Sequence, residues 1–361
     1  MKYFAFGLIF LSLLFFFFLS HLFILKFISD FPFVRKNIIY FRKVFLGLFI
    51  VSILSLFLRV RFSCGVLEYI FILGFFWIGL VLIMSFWCFI GEIFLFLFKK
   101  IDRRIIICLF LGVSLIYIIK ATYEGIKLPN FNRITFKFDN LNKNYKIIFI
   151  SDTHLSCRHK NLWFLKLYEK IKNSQPDVLV LVGDILEYGF KINDEMVRKI
   201  HSYKIPTIVV FGNHEYYFGI NKASEIFSSL GYKILRNNSL CIGDINFIGL
   251  GDIITEDLSK QEVMEILSKH YIKNKLNILI SHQPLYFEEI SKNFDLIMIS
   301  GHIHRGQIFP FHIFVRIFYK YFYGIYKKNN SVLIVTSGAG VWGPPMRFLA
   351  DSEVVEILLK K

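Results

Sequence analysis

The chain has 361 residues, is 55% hydrophobic and carries a formal net charge of +16. Its mean hydropathy of +0.52 is too apolar for an ordinary soluble protein and points to a membrane class. More than half of the charge, +9, sits in the first 120 residues among apolar runs, so anionic lipid headgroups fit it more economically than nucleic acid, which is disfavoured.

Up to Lys120 the only acidic residues are Asp30, Glu68, Glu92 and Asp102. Four apolar stretches fall there: Tyr3 to Ile28, Val44 to Leu58, Val66 to Phe98 and Ile105 to Ile119. The first is too long for a signal peptide and no small-residue cleavage site follows it. The second and fourth are short. The second reaches spanning length if Arg42 and Lys43 snorkel. No charge falls in mid-segment, so nothing marks a proton or ion path. Residues 1–120 are therefore read as a transmembrane region of about four helices, 121–144 as a linker and 145–361 as a second domain.

Loop charge suggests an orientation. Lys26, Arg35, Lys36, Arg42 and Lys43 lie in one loop, with Lys99, Lys100, Arg103 and Arg104 in another; Lys2, Arg59, Arg61, Lys120 and Lys127 lie on the opposite side. The richer side is read as cytoplasmic, which puts the second domain outside the cytoplasm. Cys64, Cys88, Cys108, Cys157 and Cys241 form no CxxC pair, and the redox compartment stays open.

In the second domain strands and helices alternate. Tyr145 to Ile150, Val178 to Val182, Thr207 to Phe211, Asn277 to Ile280 and Asp295 to Ile299 read as buried strands, with Val332 to Thr336 and Val354 to Leu359 late in the chain. Ser239 to Leu250 reads as a hairpin turning at Gly243 and Asp244. This is an α/β domain whose sheets are covered on both faces.

Five strands each run into a metal-capable residue. The candidates are Asp152, His154, Asp184, Asn213, His282, His302 and His304. Singly, each has an ordinary reading as a helix cap, turn residue or solvated loop side chain. Together, at successive strand ends, they read as one site. Imidazoles and carboxylates without a thiolate suit Zn, Mn or Fe. Asp-x-His and His-x-His aim two side chains at one locus, and a carboxylate between two ions can bridge them. His214 is a spare imidazole beside the set, able to hydrogen-bond a phosphate or protonate a leaving oxygen.

The blocks Asp152-Thr153-His154, Gly183-Asp184, Gly212-Asn213-His214-Glu215, Ser281-His282 and Gly301-His302-Ile303-His304 resemble the calcineurin-like metallophosphoesterase superfamily. Gly212 to Tyr217 and the late Gly340-Val341-Trp342-Gly343-Pro344-Pro345-Met346-Arg347 resemble its membrane-associated bacterial branch, similar to the YkuE and YaeI proteins. The resemblance implies a four-layer αββα sandwich and two divalent metal ions. It implies Asp152, His154 and His304 at one metal, Asn213, His282 and His302 at the other, Asp184 between them and His214 as the catalytic residue. Arg305 departs from the branch, which often has Gly there; a solvent-facing guanidinium is favoured over a phosphate-facing one. Glu187 either orients an imidazole or is a surface carboxylate.

Phe309 to Tyr326 interleaves aromatics with His312, Arg316 and Lys320, and reads as a flap or short interfacial element touching the membrane. The alternative is a buried aromatic subdomain. The expected activity is hydrolysis of a phosphoester, phosphodiester or pyrophosphate on a membrane or envelope lipid-linked substrate. Some relatives in the resembled group act on UDP-diacylglucosamine or related envelope molecules. A small-molecule substrate is also open. The rivals are a nuclease or nucleotide phosphodiesterase and a non-catalytic metal-binding membrane scaffold. The expected location is a bacterial inner (plasma) membrane.

Overall fold

A computed structural model describes residues 2–58, 65–139, 141–156 and 161–361. Arg59, Arg61, Cys64 and Cys157 lie outside the described residues. The chain divides into two compact units. One comprises Met1–Ile126, Ile308–Ile313 and Gly343–Leu349; the other comprises Lys127–Gln307, Phe314–Trp342 and Ala350–Lys361.

The first unit contains α1 (Lys2–Ile28), α2 (Pro32–Lys36), α3 (Ile38–Leu58), α4 (Val66–Leu97) and α5 (Arg103–Ile126). Among the described residues, α1, α3, α4 and α5 are long and apolar enough to cross a membrane. The two short apolar runs lengthen as helices: α3 starts six residues before Val44, and α5 continues to Ile126. In lipid, where apolar burial drives little, helices associate through close packing and hydrogen bonds. Ser52 Oγ donates to the Gly74 carbonyl at 3.1 Å, and a Cβ on Gly74 would lie 2.2 Å from Ser55 Oγ. This pairs α3 tightly with α4.

Buried polar side chains pair inside the bundle. His21 Nδ1 lies 2.7 Å from the Phe17 carbonyl, and Trp77 Nε1–H donates to His21 Nε2 at 2.7 Å. Arg103 donates to both Asp30 and Glu92, joining the α1–α2 turn, the end of α4 and the start of α5. The two late segments of this unit bring Ile308, Met346 and Phe348 against Ile83, Ile118 and Ala121.

The second unit runs β1 (Asn130–Lys137), β2 (Tyr145–Ile150), α6 (Asn161–Asn173), β3 (Val178–Val182), α7 (Asp194–Ser202), β4 (Thr207–Val210), α8 (Asn213–Phe218), α9 (Ile220–Ser229), β5 (Lys233–Ile234), β6 (Asn238–Ile242) and β7 (Ile245–Gly249). It continues with α10 (Lys260–His270), β8 (Leu276–Ile280), α11 (Phe287–Asn293), β9 (Ile297–Ser300), α12 (Phe311–Phe318), β10 (Gly324–Lys328), β11 (Ser331–Val335) and β12 (Glu353–Lys360). The first three residues of α12 belong to the helical unit. Residues 121–144, expected as a linker, hold the end of α5 and strand β1, which pairs parallel with β12.

Two six-stranded mixed sheets form, ordered β1-β12-β2-β3-β4-β5 and β10-β11-β9-β8-β7-β6. The run Val178 to Val182 shows why the strands are apolar throughout. Val178, Val180 and Val182 join Phe149, Phe247 and Ile278 in one core between the sheets; Leu179 and Leu181 face α6, α7 and α9. Alternate residues thus feed opposite cores. The other sheet turns Leu279, Met298 and Leu333 toward α10 and α11. Helix, sheet, sheet and helix layers make the four-layer αββα arrangement.

Gly74→Leu inserts a branched side chain where α3 and α4 touch. It is expected to cost about 1–3 kcal/mol. Thermal unfolding in detergent should show a lower Tm for the full chain, and an unchanged Tm would contradict the close-packing account.

Candidate metal centre

The site forms because parallel strands from both sheets end at one edge. β2 delivers Asp152 and His154, β3 delivers Asp184, and β4 delivers Asn213 and His214 at the start of α8. From the other sheet, β8 delivers His282, and β9 delivers His302 and His304.

These turns are strained. Asp152, His154, Asp184, His302 and His304 all have φ between 46 and 70°. Left-handed backbone at non-glycine residues costs of order 1–3 kcal/mol each and persists only where surrounding contacts hold it. Those contacts are visible. Asp152 N–H donates to the Gly183 carbonyl and His154 N–H to the Asp184 carbonyl, each at 3.0 Å. His302 N–H donates to Asp152 Oδ1 at 3.0 Å, and His214 N–H to Asp184 Oδ1 at 2.9 Å. Two glycines allow the approach. A Cβ on Gly301 would lie 1.7 Å from Ser151 Oγ, and one on Gly183, at φ 82°, would lie 2.6 Å from the Gly212 nitrogen.

Glu215 anchors two of the loops. Its buried carboxylate accepts the N–H groups of Asp184, Ile185, Leu186 and Gly212 at 2.8–2.9 Å. The block that carries it was read as a unit, and this role was not.

The donor atoms converge. Asp152, His154 and His304 form one group, Asp184, His282 and His302 a second, and His154, Asp184 and His214 a third, each with donor atoms within 4.8 Å of one another. Asn213 directly precedes His214, and its Oδ1 is buried without a hydrogen-bond partner. His154 and His304 point Nε2 at Nε2 across 3.0 Å. An orphaned buried acceptor, facing imidazole nitrogens and buried carboxylates fit divalent cations with oxygen and nitrogen ligands.

Neighbouring groups orient the imidazoles. His282 Nδ1 lies 2.8 Å from the Val182 carbonyl, leaving Nε2 toward Asp184 Oδ2 at 3.2 Å. His302 Nε2 lies 2.9 Å from the Tyr319 hydroxyl, which leaves Nδ1 as its remaining nitrogen. Glu187 is buried, not a surface carboxylate. Its Oε2 lies 3.3 Å from His154 Nδ1 and 2.8 Å from His214 Nδ1. Arg305 is half-buried, its guanidinium stacked over the Tyr323 ring at 4.4 Å rather than turned to solvent. Tyr319 and Tyr323 lie within the stretch read as an aromatic element, but neither was singled out; hydroxyl-to-imidazole pairing over 17 residues leaves no local sequence signal.

Charge separates the histidines. Burial opposes the charged form of His214, but Asp184 and Glu187 outweigh it and raise its pKa to about 9. Burial, assisted by His282, lowers His302 to about 4. Burial opposes the charged form of His282, but Asp184 outweighs it and raises His282 well above its ordinary value. Asp184 is held well below the usual carboxylate range: burial works against it, but His282 and His214 prevail.

The profile of calcineurin-like phosphoesterases matches residues 145–306. A metallophosphoesterase of Campylobacter jejuni is 35% identical over 268 residues, covering 71% of this chain and 70% of that one. A metallophosphoesterase of Helicobacter pylori is 32% identical over 257 residues, covering 67% of each chain. Among solved structures, a dimetal phosphatase from Danio rerio aligns with 56% of this chain and 90% of its own, at 12% identity and a TM-score of 0.40.

Glu215→Ala removes the acceptor from four buried N–H groups. Each orphaned group costs about 1–3 kcal/mol. Unfolding monitored in detergent should show a loss of at least about 3 kcal/mol, together with weaker metal retention. A loss below about 1 kcal/mol would show that the two loops hold without it.

Proposed function

The chain belongs to the calcineurin-like phosphoesterase family and is a binuclear metal-dependent phosphohydrolase; we propose that its substrate is a phosphodiester or pyrophosphate carried on a membrane or envelope lipid. One observation carries this reading. Four residues after His304 the chain enters the helical unit at Ile308, and it does so again at Gly343, directly after Trp342. Trp342 is half-exposed, with its ring 6.1 Å from that of His214. The residues bounding the metal loops are thus continuous in sequence with the unit that holds the long apolar helices. Helix α12 adds exposed Ile313, Phe314, Ile317 and Phe318, an apolar face of the kind that lies in a lipid interface. We place the chain in the membrane-associated branch similar to YkuE and YaeI, on Gly212 to Tyr217 and Gly340 to Arg347.

In this reading Asp152, His154 and His304 hold one ion, Asn213, His282 and His302 the other, and Asp184 faces both. Two divalent ions held there, Mn, Zn or Fe, would supply an activated water and neutralise phosphate oxygens. The protein's own contributions follow from its side chains. With Asp184 turned to the ions, Glu187, 2.8 Å from His214 Nδ1, is the carboxylate that favours a protonated imidazole, which can hydrogen-bond a phosphate oxygen and give a proton to the leaving oxygen. Glu187 also steadies His154, and Tyr319 steadies His302. The burial of Asp152, His154, Asp184 and His282 keeps bulk water from the inner side of the site.

Three experiments test these assignments. His214→Ala should keep much of the bound metal while hydrolysis of bis-p-nitrophenyl phosphate falls about 10²–10⁴-fold; full activity would remove His214 from the mechanism. The purified protein with Mn²⁺ or Zn²⁺ should prefer lipid phosphoesters in a panel that includes nucleotides, nucleotide sugars and oligonucleotides. Preference for the nucleotides or oligonucleotides would favour the nuclease or nucleotide phosphodiesterase reading, and no turnover with two metals bound would favour a scaffold. The loop charges support an extracytoplasmic catalytic domain in a bacterial inner membrane. A phosphatase reporter fused after Lys361 should then be active in the periplasm, and cytoplasmic signal alone would reverse the orientation.

A further inference from the structure

The helical unit holds a charged cavity separate from the metal centre. The turn after α1 and the turn between α4 and α5 are the two most basic stretches of the unit, and they meet. Asp30, Arg35, Lys36, Asp102, Arg103 and Arg104 line a cavity of about 640 Å³. Asp30 accepts Arg103, whose other arm reaches Glu92 at 2.6 Å. Asp102 Oδ1 accepts the backbone N–H of Arg104 at 2.8 Å. Arg35 approaches Asp30 only to 3.7 Å, and its side chain is 73% exposed. Among the described residues, neither Lys36 nor the Arg104 side chain has an acidic partner. The lining thus holds four cationic side chains against two carboxylates, a surplus of positive charge.

The surroundings distinguish a lipid from a free anion. Phe33 on α2 is 70% exposed, and Phe98 and Ile101, beside the other wall, are 46% and 45% exposed. Cations in a cavity, flanked by outward-facing apolar side chains at the end of membrane-length helices, match a headgroup with its acyl chains. We infer that this cavity binds the phosphate of an anionic phospholipid. Arg35, Lys36 and Arg104 would contact the phosphate, Arg103 would be held in place by its two carboxylates, and Phe33, Phe98 and Ile101 would lie along the acyl chains.

The test uses the full chain in an uncharged detergent with a fluorescent phosphatidylglycerol, competed by unlabelled phosphatidylglycerol, phosphatidylcholine or glycerol phosphate. Saturable binding is expected, with phosphatidylglycerol competing at least about tenfold better than the other two. With two headgroup-facing cations removed, K36Q/R104Q should weaken binding on the order of tenfold or more. Both residues are exposed, and unchanged far-UV helicity and diester hydrolysis would show that the variant is folded. The charge-preserving Arg104→Lys should retain most of the affinity, which separates loss of charge from loss of structure. Equal binding by K36Q/R104Q and wild type would overturn the inference, as would equal competition by phosphatidylcholine. Competition by glycerol phosphate as strong as by the lipid would overturn it in favour of a free-anion site.

Discussion

Glu215 sits with its carboxylate under four backbone N–H groups, three from the loop after β3 and one from the loop after β4. Buried amides without acceptors are costly, and the two oxygens of an ionised carboxylate offer about four acceptor sites. The arrangement fixes the backbone on both sides of Asp184. It also explains how Asp184 can adopt left-handed backbone: the next two amides, those of Ile185 and Leu186, are tied to the same anion. The Asp184 side chain is therefore aimed by a residue that is in none of the three donor groups.

The rest of the site extends this principle. Asp152 and Asp184 each use one carboxylate oxygen, at least, to receive a backbone amide from a facing loop: His302 N–H for Asp152 and His214 N–H for Asp184. Each acid thereby positions the loop carrying another candidate ligand. The imidazoles are tied from outside by Glu187, Tyr319 and the Val182 carbonyl. Removing one such contact should loosen more than one donor, because strain at five left-handed residues is shared by a common network.

The five strand-end blocks and the four long helices were legible because each has a short-range signature: an apolar run, then a turn residue and a donor. Their supports were less so. Glu187 stands three residues after Asp184, where spacing alone allows an inward or an outward carboxylate; burial against His154 and His214 is a tertiary fact. Strand β1 escaped because Asn130 to Lys137 is a largely polar edge strand, held by pairing with β12 more than 200 residues away. The aromatic stretch Phe309 to Tyr326 was visible as unusual, but its resolution into α12 and β10 depends on register with β11. Arg305 lies over the Tyr323 ring and not in open solvent, a long-range contact with no local pattern in the sequence.

Environment also assigns different work to chemically identical side chains. His302 is enclosed and lies beside another imidazole, so burial, with His282, drives it toward neutrality, the form that donates a lone pair. His214 is nearly as enclosed, yet two carboxylates face it and keep its proton on. Burial is common to both, so the difference comes from the placement of Glu187 and Asp184. Glu187 touches His154 with the same oxygen that touches His214. One carboxylate thus reaches both a candidate metal ligand and the candidate acid, and a change at either imidazole alters the charge felt by the other. Cations bound at Asp184 would draw its charge away from His214, leaving Glu187 as the main support of that proton. Separating ligand from acid in this site consequently rests less on the histidines themselves than on a buried glutamate that is in none of the three donor groups.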